Sequence, residues 1–108
     1  MIVRYSEAFK RQLKRLSRRY PHIRGDLQPL IDRLVAGETP GDRIQGTGHV
    51  LYKVRAKNTS AARGKRGGYR VIYYLTTSTG VLLVTIYSKT EQSDVDVDVV
   101  LRIIRDEN

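Results

Sequence analysis

Six side chains between positions 53 and 89 have the types and spacing for phosphate chemistry. Lys53, Arg55 and Lys57 alternate through Leu51-Tyr52-Lys53-Val54-Arg55-Ala56-Lys57. A strand here sets all three cations on one face, opposite Tyr52, Val54 and Ala56. Arg70 follows the glycine-rich basic run Gly64-Lys65-Arg66-Gly67-Gly68-Tyr69 and opens the β-branched and aromatic stretch Val71-Ile72-Tyr73-Tyr74. Tyr87 and Lys89 close Leu82-Leu83-Val84-Thr85-Ile86-Tyr87-Ser88-Lys89. Thr85, Tyr87 and Lys89 are expected on one face, with Leu82, Val84 and Ile86 on the other. Cations gathered without an interleaved carboxylate repel one another, and a bound phosphate resolves the repulsion. The expected ligand is a polyanion, RNA first.

RNA cleaves itself when a 2′-hydroxyl attacks the adjacent phosphate. A protein that promotes this must orient the hydroxyl, stabilise the crowded phosphorane and protonate the leaving 5′-oxygen. Arginine suits the phosphorane, because its rigid fork matches phosphate oxygens bidentately. A lysine crowded by cations is expected to titrate low enough to act as a base. Tyr87 is expected to hydrogen-bond the phosphate or stack a base. The reaction needs neither metal nor cofactor, and a cationic site repels a metal ion. The catalytic candidates are Arg70, Lys57, Tyr87 and Lys89. The RNA-binding candidates are Lys53, Arg55, Lys65, Arg66 and Tyr69.

The charge of the whole chain agrees. Twenty Lys and Arg against eleven Asp and Glu give a net charge of +9. The balance is +13 over residues 1–89 and −4 over residues 90–108. That asymmetry is the footprint of a nucleic-acid binder or of a protein with an acidic partner. The absence of cysteine excludes disulfides and thiolate metal sites and suits a reducing cytoplasm. No run of aliphatic residues is longer than four, Val81 to Val84, so no membrane span is expected.

These side chains need a sheet, and the sheet needs helices. One domain over residues 1–108 is expected. Ile2 to Tyr5 reads as a short edge strand and Ser6 as a helix N-cap. Phe9, Leu13, Leu16 and Tyr20 share one helical face, and Lys10, Arg11, Lys14, Arg15, Arg18 and Arg19 the other, a surface suited to a phosphate backbone. A second helix, with Asp26 as N-cap and Pro29 in its first turn, presents Leu27, Leu30, Ile31 and Leu34. Residues 37–48 read as a loop. Strands follow at about 50–57, 69–76 and 81–88, the last two a hairpin through Thr77-Ser78-Thr79-Gly80. The connection from Asn58 to Gly68 reads as a mobile surface loop. A last helix is expected between about Glu91 and Arg105, with Val95, Val99, Val100, Ile103 and Ile104 inward. The order β-α-α-β-β-β-α makes a small α+β domain, an antiparallel sheet with helices on one face.

Other motifs are weaker. Asp94, Asp96 and Asp98 resemble the start of a calcium loop, but Val99 stands where that loop needs glycine and Arg105 where it needs glutamate. Gly64-Lys65 lacks the remainder of a P-loop. His22 and His49 could serve a ribonuclease only if folding brought one of them to the sheet.

Three segments together resemble the RelE/ParE superfamily of type II toxin–antitoxin toxins, in its HigB-like branch of RelE. They are Tyr52-Lys53-Val54-Arg55, Gly64-Lys65-Arg66-Gly67-Gly68-Tyr69-Arg70-Val71-Ile72-Tyr73-Tyr74, and Thr85-Ile86-Tyr87-Ser88-Lys89-Thr90-Glu91-Gln92-Ser93-Asp94. The element order resembles the family fold as well. The resemblance implies a RelE-like domain that acts as a ribosome-dependent mRNA endoribonuclease, an mRNA interferase, in the cytoplasm. Its partners would be mRNA, the ribosome with its rRNA, and a cognate antitoxin protein that covers the site. Arg70 matches the transition-state arginine, Lys53 and Arg55 the mRNA-gripping positions, and Tyr87 and Lys89 the branch's Tyr-x-Lys. Two positions depart: Thr90 stands where RelE has a second arginine, and Asp96 where it has a catalytic tyrosine. The acid and the base therefore stay open. So do two other functions of the same fold, a ParE-like gyrase inhibitor and a non-catalytic RNA-binding module.

Overall fold

In the computed structural model, which describes residues 1–60 and 68–107, Ser6 ends a strand, β1 (Ile2–Tyr5), and starts a helix, α1 (Glu7–Arg19). Its hydroxyl accepts from Phe9 N at 2.9 Å and donates to the Val84 carbonyl at 2.6 Å. One buried side chain thus satisfies an orphan helix donor and anchors the helix to the sheet. The remaining elements are α2 (Ile23–Val35), β2 (Asp42–Ile44), β3 (Leu51–Ala56), β4 (Tyr69–Thr77), β5 (Gly80–Ser88) and α3 (Val97–Asp106).

The α+β class is observed, with three helices and one open five-stranded sheet in the order β1-β5-β4-β3-β2. Its details correct the expectation in several places. The sheet is mixed, because β1 runs parallel to β5. Strand β2 lies inside the segment read as loop and pairs antiparallel with β3. Three residues are too short to display a period of two.

Helices cover both faces rather than one. Helices α1 and α2 bury Phe9, Leu16, Ile23, Leu27 and Leu34 against Val54, Val71, Tyr73, Leu83 and Ile86. On the other face α3 buries Val100 and Ile104 against Leu51, Ile72, Leu82 and Val84. Strand β5 shows the reason: every residue from Val81 to Ser88 is buried. Its near-continuous apolar sequence is that of a central strand covered on both sides.

A bulge breaks the side-chain alternation in β5. Ile72 pairs with Thr85, but Tyr73 pairs with Leu83. Val84 is therefore an extra residue, and parity shifts past it. Leu82 and Val84 face α3, while Ile86 faces α1 and α2. The common face expected for these three does not exist.

Two helix starts move. Helix α2 begins at Ile23, three residues before Asp26, and holds Pro29 in its interior. Asp26 accepts instead from Thr59, through the backbone N–H at 2.9 Å and the hydroxyl at 2.7 Å, and ties α2 to the chain just after β3. Helix α3 begins at Val97 rather than near Glu91, with Asp96 as its N-cap. Val99, expected inward, is exposed.

Candidate functional site

Strands β3, β4 and β5 bring Arg55, Arg70 and Tyr87 into one row across the sheet. Arg55 is the register partner of Arg70, and Arg70 of Tyr87. Lys53 stands one row away, opposite Ile72. The row lies on the face that α3 covers, beyond the Ile72 edge of the α3 cluster. Arg55 is exposed, and Lys53 and Arg70 are half-buried. Of the six residues expected together, Lys53, Arg55, Arg70 and Tyr87 share this face of the sheet.

Gly68 sets the entry to β4. Its φ is +62°, and an added Cβ would lie 2.5 Å from the Ala56 carbonyl oxygen. Only glycine meets both demands without strain. Its carbonyl accepts from Lys89 N at 2.9 Å, which closes β4 against the end of β5. Arg70 is thereby held beside Arg55 at a firm sheet end.

The cluster is not free of carboxylate, and this corrects the sequence expectation. Asp94, in the connection from β5 to α3, accepts on Oδ1 from Lys53 Nζ at 3.3 Å, from the Tyr87 hydroxyl at 3.4 Å and from Val95 N at 2.8 Å. The Val95 N–H first, and Lys53 next, hold its carboxyl below its ordinary range. Sequence reasoning treated Asp94 only as part of a failed calcium loop. Its side-chain partners, Tyr87 and Lys53, lie 7 and 41 residues away, so no local signal marks the contact.

Tyr87 is 3 % exposed. Burial pushes its hydroxyl up, Asp94 adds to the shift and Arg70 opposes it. Tyr87 thus keeps its proton and acts as a donor. Its buried ring leaves no face on which a base could stack, so the stacking role is withdrawn.

The other candidates are spread more widely. Lys57 is exposed, one residue past the end of β3. The Lys89 ammonium donates to the Ser93 carbonyl, within its own loop. Tyr69 is fully buried on the opposite face, edge-on to Tyr20 at 5.7 Å, and cannot contact RNA there. Lys65 and Arg66, with most of the expected surface loop, lie outside the described residues. On α1, Arg15 and Arg19 both pair with Glu91, at 3.1 and 3.3 Å, so part of that basic face is already neutralised. The histidines stay away from the row. His22 precedes α2, and His49 packs edge-on against Tyr74, four residues along β4 from Arg70.

The arrangement can grip an anion with two guanidinium groups and offer it a hydroxyl donor nearby. Among the described residues no helix is long and apolar enough to cross a membrane. No protein-family model matches the chain.

Proposed function

We propose that the protein is a toxin of the RelE/ParE superfamily that cleaves mRNA on the ribosome by 2′-hydroxyl attack. The observation that carries this reading is the row Arg55–Arg70–Tyr87, two arginines opposite one another with a protonated phenol beside them. The new bond joins the 2′-oxygen to phosphorus, and the bond to the 5′-oxygen breaks. The products are a 2′,3′-cyclic phosphate and a 5′-hydroxyl. Arg70, with Arg55 across from it, would stabilise the phosphorane through bidentate contacts. Lys53 would hold the neighbouring backbone. The reaction must take a proton from the 2′-hydroxyl and give one to the leaving 5′-oxygen, and the candidates for these transfers are Lys57 and Lys89, two residues beyond Arg55 and Tyr87. Tyr87 would supply a hydrogen bond as charge develops on oxygen, its hydroxyl turning from Asp94 to the phosphate.

The same basic surface accounts for the proposed partners. In the cytoplasm it would meet rRNA phosphates and mRNA, and an acidic antitoxin encoded alongside would neutralise it. Pulse labelling after expression without antitoxin tests the reading. Protein synthesis should fall before DNA synthesis, and translated mRNA should carry new 5′-hydroxyl ends. A primary arrest of DNA synthesis with gyrase-linked breaks would replace this reading with gyrase inhibition.

A further inference from the structure

We propose that the cleft between β2, β3 and the start of α3 holds the base of the nucleotide beside the scissile phosphate, and that it takes guanine best. For its biological substrate the proposal rests on the nuclease reading above. The cleft encloses about 130 Å³ and is walled by Ile44, Val95, Val97 and Val100. Lys53 and Asp94 supply its polar atoms. Apolar walls with a few convergent polar groups are the form a base pocket takes.

The position is right for one nucleotide. Lys53 and Arg55 lie two residues apart on one strand face, roughly 7 Å along β3. A nucleotide whose phosphate sits between Arg55 and Arg70 can therefore turn its neighbour's base past Lys53 into the cleft. The mouth is open and apolar: Val97 is 36 % exposed, although it is a valine at the start of a helix. The Asp94 side chain is 66 % exposed beside it.

The polar atoms select the base. Asp94 Oδ1 already accepts from Lys53, Tyr87 and Val95. Its Oδ2 accepts from none of the described residues. Guanine carries adjacent N1–H and N2–H donors that can converge on the open Oδ2, and an O6 acceptor for the Lys53 ammonium. Uracil offers one N–H between two carbonyls, so a carbonyl would face the carboxylate. Discrimination of about tenfold is expected from one such pairing.

The test is a methyl-NMR titration of the full chain with GMP and with UMP, which carry the same phosphate. GMP should shift the methyl signals of Ile44, Val95, Val97 and Val100 and bind about tenfold tighter than UMP. Val97→Trp, a change at an exposed position, should fill the cleft and bring GMP down to the UMP affinity. Equal binding of the two nucleotides by the wild type overturns the proposal, as does an undiminished GMP preference in Val97→Trp. Cleavage on programmed ribosomes is read separately. A wild type that prefers GMP in the cleft but cuts no mRNA removes the nuclease and keeps the subsite. A wild type that cuts mRNA but binds both nucleotides equally removes the subsite alone.

Discussion

Arg55 and Arg70 face one another as register partners across the antiparallel β3–β4 ladder. Like charges directly opposite destabilise a sheet, where a favourable pair contributes about 0.2–1 kcal/mol. A phosphate bound between the two guanidinium groups would be contacted from both strands at once.

Arg70→Ala should therefore lose cleavage by roughly two or more orders of magnitude, about 2.7–4 kcal/mol, as for one preorganised transition-state donor. The fold should keep its melting temperature within a few degrees, because the side chain is half-buried on the rim of the α3 cluster and outside both apolar clusters. Arg70→Lys should rescue poorly, since lysine keeps the charge and loses the fork. Single-turnover cleavage on programmed ribosomes beside a melting curve checks all three. Near wild-type cleavage by a folded Arg70→Ala protein would remove Arg70 from the mechanism.

Tyr69 makes the opposite prediction. Its ring is fully buried, and its hydroxyl has no hydrogen-bond partner among the described residues. Such an orphan costs about 1–3 kcal/mol of desolvation. Tyr69→Phe should raise stability by about 1 kcal/mol and leave RNA affinity unchanged. Urea titration and a filter-binding assay measure the two. A loss of RNA affinity in the stable variant would return Tyr69 to the interface.

Gly68 carries the geometry of the site entrance. Gly68→Ala forces a side chain into the left-handed region and to within 2.5 Å of the Ala56 carbonyl. The conformational strain alone is about 1–2 kcal/mol, and relief of the clash must move β4 away from β3. The variant should melt several degrees lower and cleave more slowly even where it remains folded. A variant of wild-type stability and activity would mean that the Arg55–Arg70 spacing is not critical.

Alkaline pH should unfold the protein early. Burial pushes the hydroxyls of Tyr69, Tyr73 and Tyr87 above their ordinary range. In the unfolded chain these groups lose protons near pH 10. The unfolded state then binds fewer protons than the folded one, so stability is full below about pH 10 and declines as pH rises beyond it. Thermal melts from pH 8 to pH 11.5 should show this decline, with a shallower slope in Tyr69→Phe. A melting temperature flat across that range would show that these hydroxyls titrate normally.

Local chemistry alone placed much of this protein. Alternation along one strand puts Lys53 and Arg55 on a common face. It also puts Tyr69 opposite Arg70, against its choice as an RNA contact, because adjacent strand residues point apart. Ser6 caps α1 because a hydroxyl before an apolar helical stripe has a backbone donor within reach. The hairpin between β4 and β5 follows from a short polar turn between two β-branched runs. Tertiary packing decided the rest. The bulge at Val84 arises where β5 must serve cores on both faces, and no residue in its own window announces it. Helix α3 lies on the cationic face because Leu51, Ile72, Leu82 and Val84 leave apolar surface there, a patch assembled from three strands. Asp94 reaches Lys53 and Tyr87 only because α3 docks beside them. A contact that spans 41 residues depends on where two elements come to rest, and side-chain periodicity carries no information about that.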